Sequence, residues 1–183
     1  LTFLFLFSGS VYGQEEVKKE YWDNGKLKVE THYKNGKKDG WETHWYESGN
    51  KEYEVHYKNG KLDGLETGMT LLGKYEIPWK NGKREGRGTS WYLSGTKEFE
   101  THWKNSKLEG LETTWYMNGR KKLSQRYKNG YLEGMKTEWY ESGKKKSTSH
   151  YKNGIENGFR KEWDENGKLT YQGNFVDGNE EIK

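Results

Sequence analysis

The chain has 183 residues, enough for one ordinary domain, and no cysteine, which excludes disulfides and thiolate metal centres. Its net charge is +4 with lysine and glutamate interspersed, so it lacks the basic stripe of a nucleic-acid binder, and nucleic acid is not expected as a partner. Hydrophobic residues make up only 30% while aromatics reach 16%, so large rings rather than an aliphatic core must hold any fold together.

The chain opens with an apolar run, Leu1–Phe7, followed by small residues, with Val11 and Gly13 at −3 and −1 relative to Gln14. This is the pattern of the back half of a secretory signal peptide, and the run is too short to span a bilayer as a helix. Residues 1–13 are therefore expected to be a truncated signal peptide, 14–20 a polar lead-in, and 21–183 the folded region. The mature protein is expected to be exported, as a periplasmic, outer-membrane-associated or secreted protein.

From Tyr21 onward the sequence repeats. Gly25, Gly49, Gly73, Gly95, Gly119, Gly143 and Gly167 are spaced by 24 residues, with one step of 22. The same spacing holds for Gly36, Gly60, Gly82, Ser106, Gly130, Gly154 and Gly178. Seven repeats fill the region, and the third is two residues short. Within a repeat the apolar residues alternate, as in Trp41, Thr43, Trp45 and in Tyr53, Val55, Tyr57. Period two with aromatic and β-branched residues predicts strands. Lys-Asn-Gly predicts a tight hairpin at one end, and Glu-Ser-Gly and its relatives a turn at the other. The expected fold is all-β: an elongated, single-layer antiparallel meander of about seven two-stranded repeats.

A face-matching register pairs Tyr33 with Trp41, Trp41 with Tyr57 and Tyr57 with Leu65. It gathers the aromatic rows and a threonine-rich row on one face. It places His32, Glu42, His56 and Glu66 together on the other.

The repeats resemble the MORN-variant repeats of the bacterial YwqK family. The resemblance is carried by Tyr46, Gly49 and Lys51, by Tyr140, Gly143 and Lys144, and by the segments Tyr33–Gly40 and Tyr57–Gly64. It implies an elongated antiparallel β-repeat used for protein or membrane contact, with no catalytic site of its own. It also implies an antitoxin-like role.

His32, His56, His102 and His150 hold one position in their repeats, about 9.6 Å apart in a flat sheet. That is too far for neighbouring imidazoles to share one zinc ion, so neither metal nor cofactor is expected. Glu42, Glu66 and Glu112 recur because the repeat recurs, whereas a catalytic residue is a singular feature; no enzyme activity is expected.

Candidate binding residues are the tryptophans Trp91, Trp115, Trp139 and Trp163, read as an aromatic groove, and the departures in the short third repeat. There Met69 stands in the tryptophan position, Leu71 and Leu72 replace polar turn residues, and Pro78 takes the histidine position. Met69, Leu71 and Leu72 are expected to form an apolar knob, and Pro78 a break or bend in its strand. Another protein is the expected partner. A glycan gripped by the aromatic groove, or an anionic membrane surface met by the Lys-Asn-Gly edge, is the alternative.

Overall fold

The computed structural model describes residues 13–181, so the apolar run Leu1–Phe7 and Val11 lie outside the described residues. The chain divides into two compact bodies, one ending at Glu85 and one beginning at Gly86.

The first body holds β1 (Glu15–Tyr21), β2 (Leu27–Lys34), β3 (Lys37–Trp45), β4 (Lys51–Lys58), β5 (Lys61–Leu62), β6 (Gly64–Met69), β7 (Lys74–Lys80) and β8 (Lys83–Arg84). The second holds β9 (Gly86–Trp91), β10 (Lys97–Lys104), β11 (Lys107–Leu108), β12 (Gly110–Trp115), β13 (Lys121–Lys128) and β14 (Tyr131–Leu132). It continues with β15 (Gly134–Trp139), β16 (Lys145–Lys152), β17 (Ile155–Glu156), β18 (Gly158–Trp163), β19 (Leu169–Val176) and β20 (Asn179–Glu180). Within each body the strands pair antiparallel in chain order, the all-β meander that period-two patterning implies. The polar lead-in is part of the sheet: β1 pairs with β2 along its whole length, Glu16 opposite Tyr33.

Each Lys-Asn-Gly turn has both central residues in the left-handed region, for example Asn59 at φ 50° and Gly60 at φ 79°. That is the two-residue hairpin turn whose twist matches its strands, and it explains the Asn-Gly pair. After the turn, two residues pair with the preceding strand, and the chain then bulges at Asp63–Gly64 and its equivalents. Gly64 sits at φ 135°, and a Cβ there would lie 3.0 Å from the His56 Cβ, so glycine is required. The bulge divides most returning strands in two, which is why the strands outnumber two per repeat.

The turn geometry also corrects the expected register. A two-residue loop puts Lys58 opposite Lys61, so each later pair in that hairpin matches an odd-numbered with an even-numbered residue. Tyr57 therefore faces Leu62, not Leu65, and Trp41 faces His56, not Tyr57. A slip of one residue moves alternate strands to the opposite face. One face, here the ring face, carries Tyr33, Tyr57 and Trp79 in the first body and Trp103, Tyr127 and Tyr151 in the second. The other, the histidine face, carries Trp41 and Leu65 in the first body and Leu111 and Met135 in the second, set against the histidine positions. The expected row of His32, Glu42, His56 and Glu66 is thus divided. Trp41 meets His56 edge-on at 5.0 Å between ring centroids, while Glu42 faces Val55 on the ring face.

Most buried side chains lie on the ring face, although Thr113 and Thr137 are buried on the histidine face of the second body. Val55, at 5% exposure, is the one buried hydrophobic side chain among the described residues. Apart from the half-buried Ile77, its row is polar: Thr31 and Glu42 in the first body, and Thr101, Glu112, Gln125 and Ser149 in the equivalent row of the second, are buried.

The fourth repeat has Ser106 where the other turns carry glycine, at φ 63°. A side chain in the left-handed region costs about 1–2 kcal/mol. Ser106→Gly should therefore stabilise the protein by about 1 kcal/mol, read as a higher urea midpoint. An unchanged or lower midpoint would show that the serine side chain offsets the backbone strain.

Candidate docking surface

The turns opposite the Lys-Asn-Gly edge have a regular form. In Tyr46–Asn50 the Gly49 amide donates to the Tyr46 carbonyl at 2.8 Å and the Tyr46 amide to the Asn50 carbonyl at 2.9 Å. A one-residue bulge between His44 and Trp45 accommodates the loop.

The third repeat lacks both the extra loop length and the bulge. Met69 pairs with Lys74 without a register shift, and the Thr70 amide donates to the Gly73 carbonyl at 2.7 Å. Thr70 Oγ1 accepts from the Leu72 and Gly73 amides at 3.2 and 3.3 Å, an arrangement that fixes a two-residue tip. Leu71 and Leu72 form that tip. Leu71 is 96% exposed, and Leu72 and Met69 are also exposed. Met69, at the end of β6, and Leu71 and Leu72, in the tip, are thus all exposed at one turn.

Pro78 does not join them, and it breaks nothing: β7 runs unbroken through it, paired with Leu65 towards the far end of the strand. The Pro78 carbonyl accepts from the Glu85 amide at 3.1 Å. Amide and carbonyl of one strand residue point to the same side, so the missing donor faces the bulged side and the ladder to β6 is untouched.

Trp91, Trp115, Trp139 and Trp163 are half-buried, each at the end of a strand in the second body. The carbonyls of Trp115, Trp139 and Trp163 accept from the hydroxyls of Tyr92, Tyr116 and Tyr140, each at 2.8 Å. Lys97 Nζ lies 5.7 Å from the Trp115 ring centroid. These contacts link one repeat to the next and partly cover the rings.

Two exposed residues escaped the sequence reading. Leu93 is 72% exposed and Met117 is 65% exposed. Both occupy the turn position of Leu71, which reads Asp23, Glu47, Leu71, Leu93, Met117, Glu141, Glu165 along the chain. Aligning that single column exposes the signal: acidic at the outer repeats, apolar at the central three.

The recurring carboxylates are engaged structurally. Glu42 accepts from Thr31 Oγ1 at 3.1 Å, meets His44 Nε2 at 3.2 Å and pairs with Lys38. Burial alone would raise its pKa, but the hydrogen bonds from Lys38 and His44 hold it below the ordinary value of 4.5. Glu66 accepts from Trp79 Nε1 at 2.8 Å and Tyr75 Oη at 3.2 Å. Glu112 has Leu108 where Glu42 has Lys38, so no cation answers it. Burial pushes its pKa up, with hydrogen bonds from Gln125 and Thr101 offsetting part of the effect. His56 Nδ1 lies 2.9 Å from the Asp63 carbonyl and His32 Nε2 lies 3.2 Å from Glu30. Among the described residues no three metal-ligating side chains gather.

The two buried carboxylates should respond oppositely to pH. Glu42 contributes stability above pH 4.5 that is lost as pH falls through its lowered folded pKa. Glu112 contributes stability that is full below pH 4.5 and lost as pH rises through its raised folded pKa. In thermal melts at pH 7, Glu42→Gln should lower the Tm and Glu112→Gln should raise it. At about pH 3 both differences should shrink towards zero. The same sign for both variants at pH 7 would contradict these assignments.

The family model described as MORN repeat variant matches residues 17–35, 38–59, 132–153 and 156–177. Each match spans a returning strand, the turn that follows it, and the next strand up to the Asn of a Lys-Asn-Gly turn or, in the last, to Asp177. Among curated proteins none matches this chain. At those four segments the chain is built of MORN repeat variants, two in each body.

Proposed function

We propose that the chain is a non-enzymatic, exported interaction module that docks another protein at the cell envelope through its apolar turns. The observation that carries this reading is Leu71, 96% exposed at the tip of a turn whose equivalents in outer repeats are acidic. An exposed leucine on a two-residue loop closed by hydrogen bonds to Thr70 is placed to enter a partner's pocket. Burying one leucine in this way contributes about 1.5–3 kcal/mol, enough to make it a hot spot. MORN repeats commonly serve as protein- or membrane-interaction modules, which supports the same reading. The resemblance to the YwqK family narrows it further: the partner would be a toxin and the chain its antitoxin or immunity-like counterpart.

An anionic membrane surface is the second reading. It is favoured by Lys34, Lys58, Lys80, Lys128 and Lys152, exposed at the Lys-Asn-Gly turns of their bodies, and by Lys104 at the equivalent Lys-Asn-Ser turn.

Leu71→Glu with Leu72→Ser restores the chemistry of a regular turn. Affinity capture from the native host should lose the bound protein with this double variant, while its Tm holds or rises. Capture that persists undiminished, or a large fall in Tm, would assign these leucines to the fold instead.

A further inference from the structure

On the histidine face of the second body the repeat changes character after β10. Followed across the paired strands, one row of this face reads Thr89, Glu100, Thr113, Ser124, Thr137, Thr148, Lys161, Gln172. The position that holds Glu30, Glu54, Glu76 and Glu100 in the earlier repeats thus holds Ser124, Thr148 and Gln172 in the later ones. Lys161 replaces the threonine of the other returning strands, as Thr113 and Thr137 show. In the neighbouring row Arg126 stands where His32, His56 and His102 stand. From β12 to β18 these two rows therefore hold no carboxylate, and they gain two cations.

The same region exposes apolar side chains. Leu111, Met135 and Phe159 are all exposed, and they alternate with Arg126 and His150 from strand to strand. Tyr131 and Ile155, opposite Lys128 and Lys152, are exposed on this face too, where earlier repeats carry Lys61, Lys83 and Lys107. The charges are not answered within the body. The ion pairs of β15–β18, Lys136 with Glu138 and Arg160 with Glu156 and Glu162, lie on the ring face, and among the described residues none involves Arg126 or Lys161. Glu109 and Glu133, at the bulges beside the row, already accept from the Asn129 and Asn153 amides at 2.7 and 2.9 Å. Exposed apolar residues set among unpaired cations mark a contact surface rather than a solvated one.

What covers this face must bring anions and apolar groups together. A nucleic-acid strand stacks its bases on exposed aromatic rings, whereas the row Leu111, Met135, Phe159 is mainly aliphatic. A bilayer takes up apolar groups that stand beyond the cations, whereas Leu111 and Met135 are shorter than Arg126, Lys128 and Lys152 around them. A second copy of the chain repeats the same cations, and the carboxylates of its first body's histidine face, Glu30, Glu54 and Glu76, are already paired with Lys19, Lys51 and Lys74. An acidic polypeptide segment brings carboxylates to Arg126 and Lys161 and apolar side chains to the row between them. At about 4.8 Å per strand the row from Leu111 to Phe159 runs about 19 Å, the reach of about six extended residues. We infer that the histidine face of β12–β18 docks an acidic segment of another protein that also carries apolar side chains, separately from the leucine turn of the first body.

Fluorescence anisotropy tests this with labelled peptides of about that length in which two residue types alternate. Glu-Leu is the probe, Glu-Ser lacks its apolar groups and Gln-Leu lacks its charge. Glu-Leu should bind, and each of the other two should bind at least tenfold more weakly. Its Kd should rise as salt goes from about 0.05 to about 0.5 M, and amide shifts on titration should concentrate in β12–β18. Ser124→Glu with Thr148→Glu restores the carboxylates of the earlier repeats, and Arg126→His with Lys161→Thr restores their neutral residues. Each pair should weaken the Kd at least tenfold, with the Tm unchanged. The Leu71→Glu, Leu72→Ser variant should bind Glu-Leu as the wild type does, which separates this face from the leucine turn. No binding of Glu-Leu, undiminished binding by both paired variants, or amide shifts centred outside β12–β18 would each overturn the inference. Tighter binding to oligo-dT, or to vesicles of phosphatidylcholine and phosphatidylserine, would overturn it in favour of nucleic acid or membrane.

Discussion

Each repeat completes the hydrogen bonding of the next one's hairpin turn, and the rest of the structure depends on this transfer. A Lys-Asn-Gly turn leaves backbone amides with no partner in its own hairpin. The glycine amide finds the preceding repeat: Gly60 donates to the Lys38 carbonyl at 2.7 Å, Gly130 to Leu108 and Gly154 to Leu132 at 2.8 Å. The asparagine amide finds a carboxylate there, with Asn59 on Asp39, Asn129 on Glu109 and Asn153 on Glu133, at 2.7–2.9 Å. At the opposite turns the tyrosine hydroxyls reach forward to the next repeat's carbonyl. A single repeat has neither clamp, so the stable object is the stacked set. This is how a chain with one buried hydrophobic side chain among its described residues can be ordered at all. Ladder hydrogen bonds, half-covered rings and a row of buried threonines and carboxylates replace an aliphatic core.

The fold class, the period and both turns were legible in the sequence because each has a local cause. Asn-Gly selects left-handed residues, and alternation selects strands. The register was not legible from the apolar pattern, because both faces are mixed. Trp41 and Tyr57 each look like core, yet they occupy opposite faces. The information was present in the turn: a two-residue loop fixes Lys58 opposite Lys61 and with it the facing of Tyr57 and Leu62. The aspartate-glycine pair at Asp63–Gly64 marks the bulge, which is a backbone event with no hydrophobic signature. Pro78 misled for a related reason, since its effect depends on which side of the strand its nitrogen faces.

Of the candidate site, Met69, Leu71 and Leu72 were legible because they break the pattern of the repeat, and all three are exposed at one turn. Leu93 and Met117 were hidden by a pattern that tolerates many residues at a turn. Ser124 and Thr148 were hidden because a hydroxyl suits a strand's polar positions as well as the glutamate it replaces. In a repeat protein recurring residues are explained by the stacking itself. Function is to be sought where a position departs from its equivalents and the departure leaves exposed apolar surface or an unanswered charge.

The transfer of hydrogen bonds between repeats is tested most directly by amide hydrogen exchange at Asn153, whose amide donates to Glu133 Oε2 at 2.9 Å. In Glu133→Ala the Asn153 amide loses its acceptor while Gly154 keeps the Leu132 carbonyl. Protection at Asn153 should fall at least tenfold, with Gly154 affected less and the Asn129 turn, which rests on Glu109, unchanged. Equal protection at Asn153 in the wild type and the variant would contradict the account.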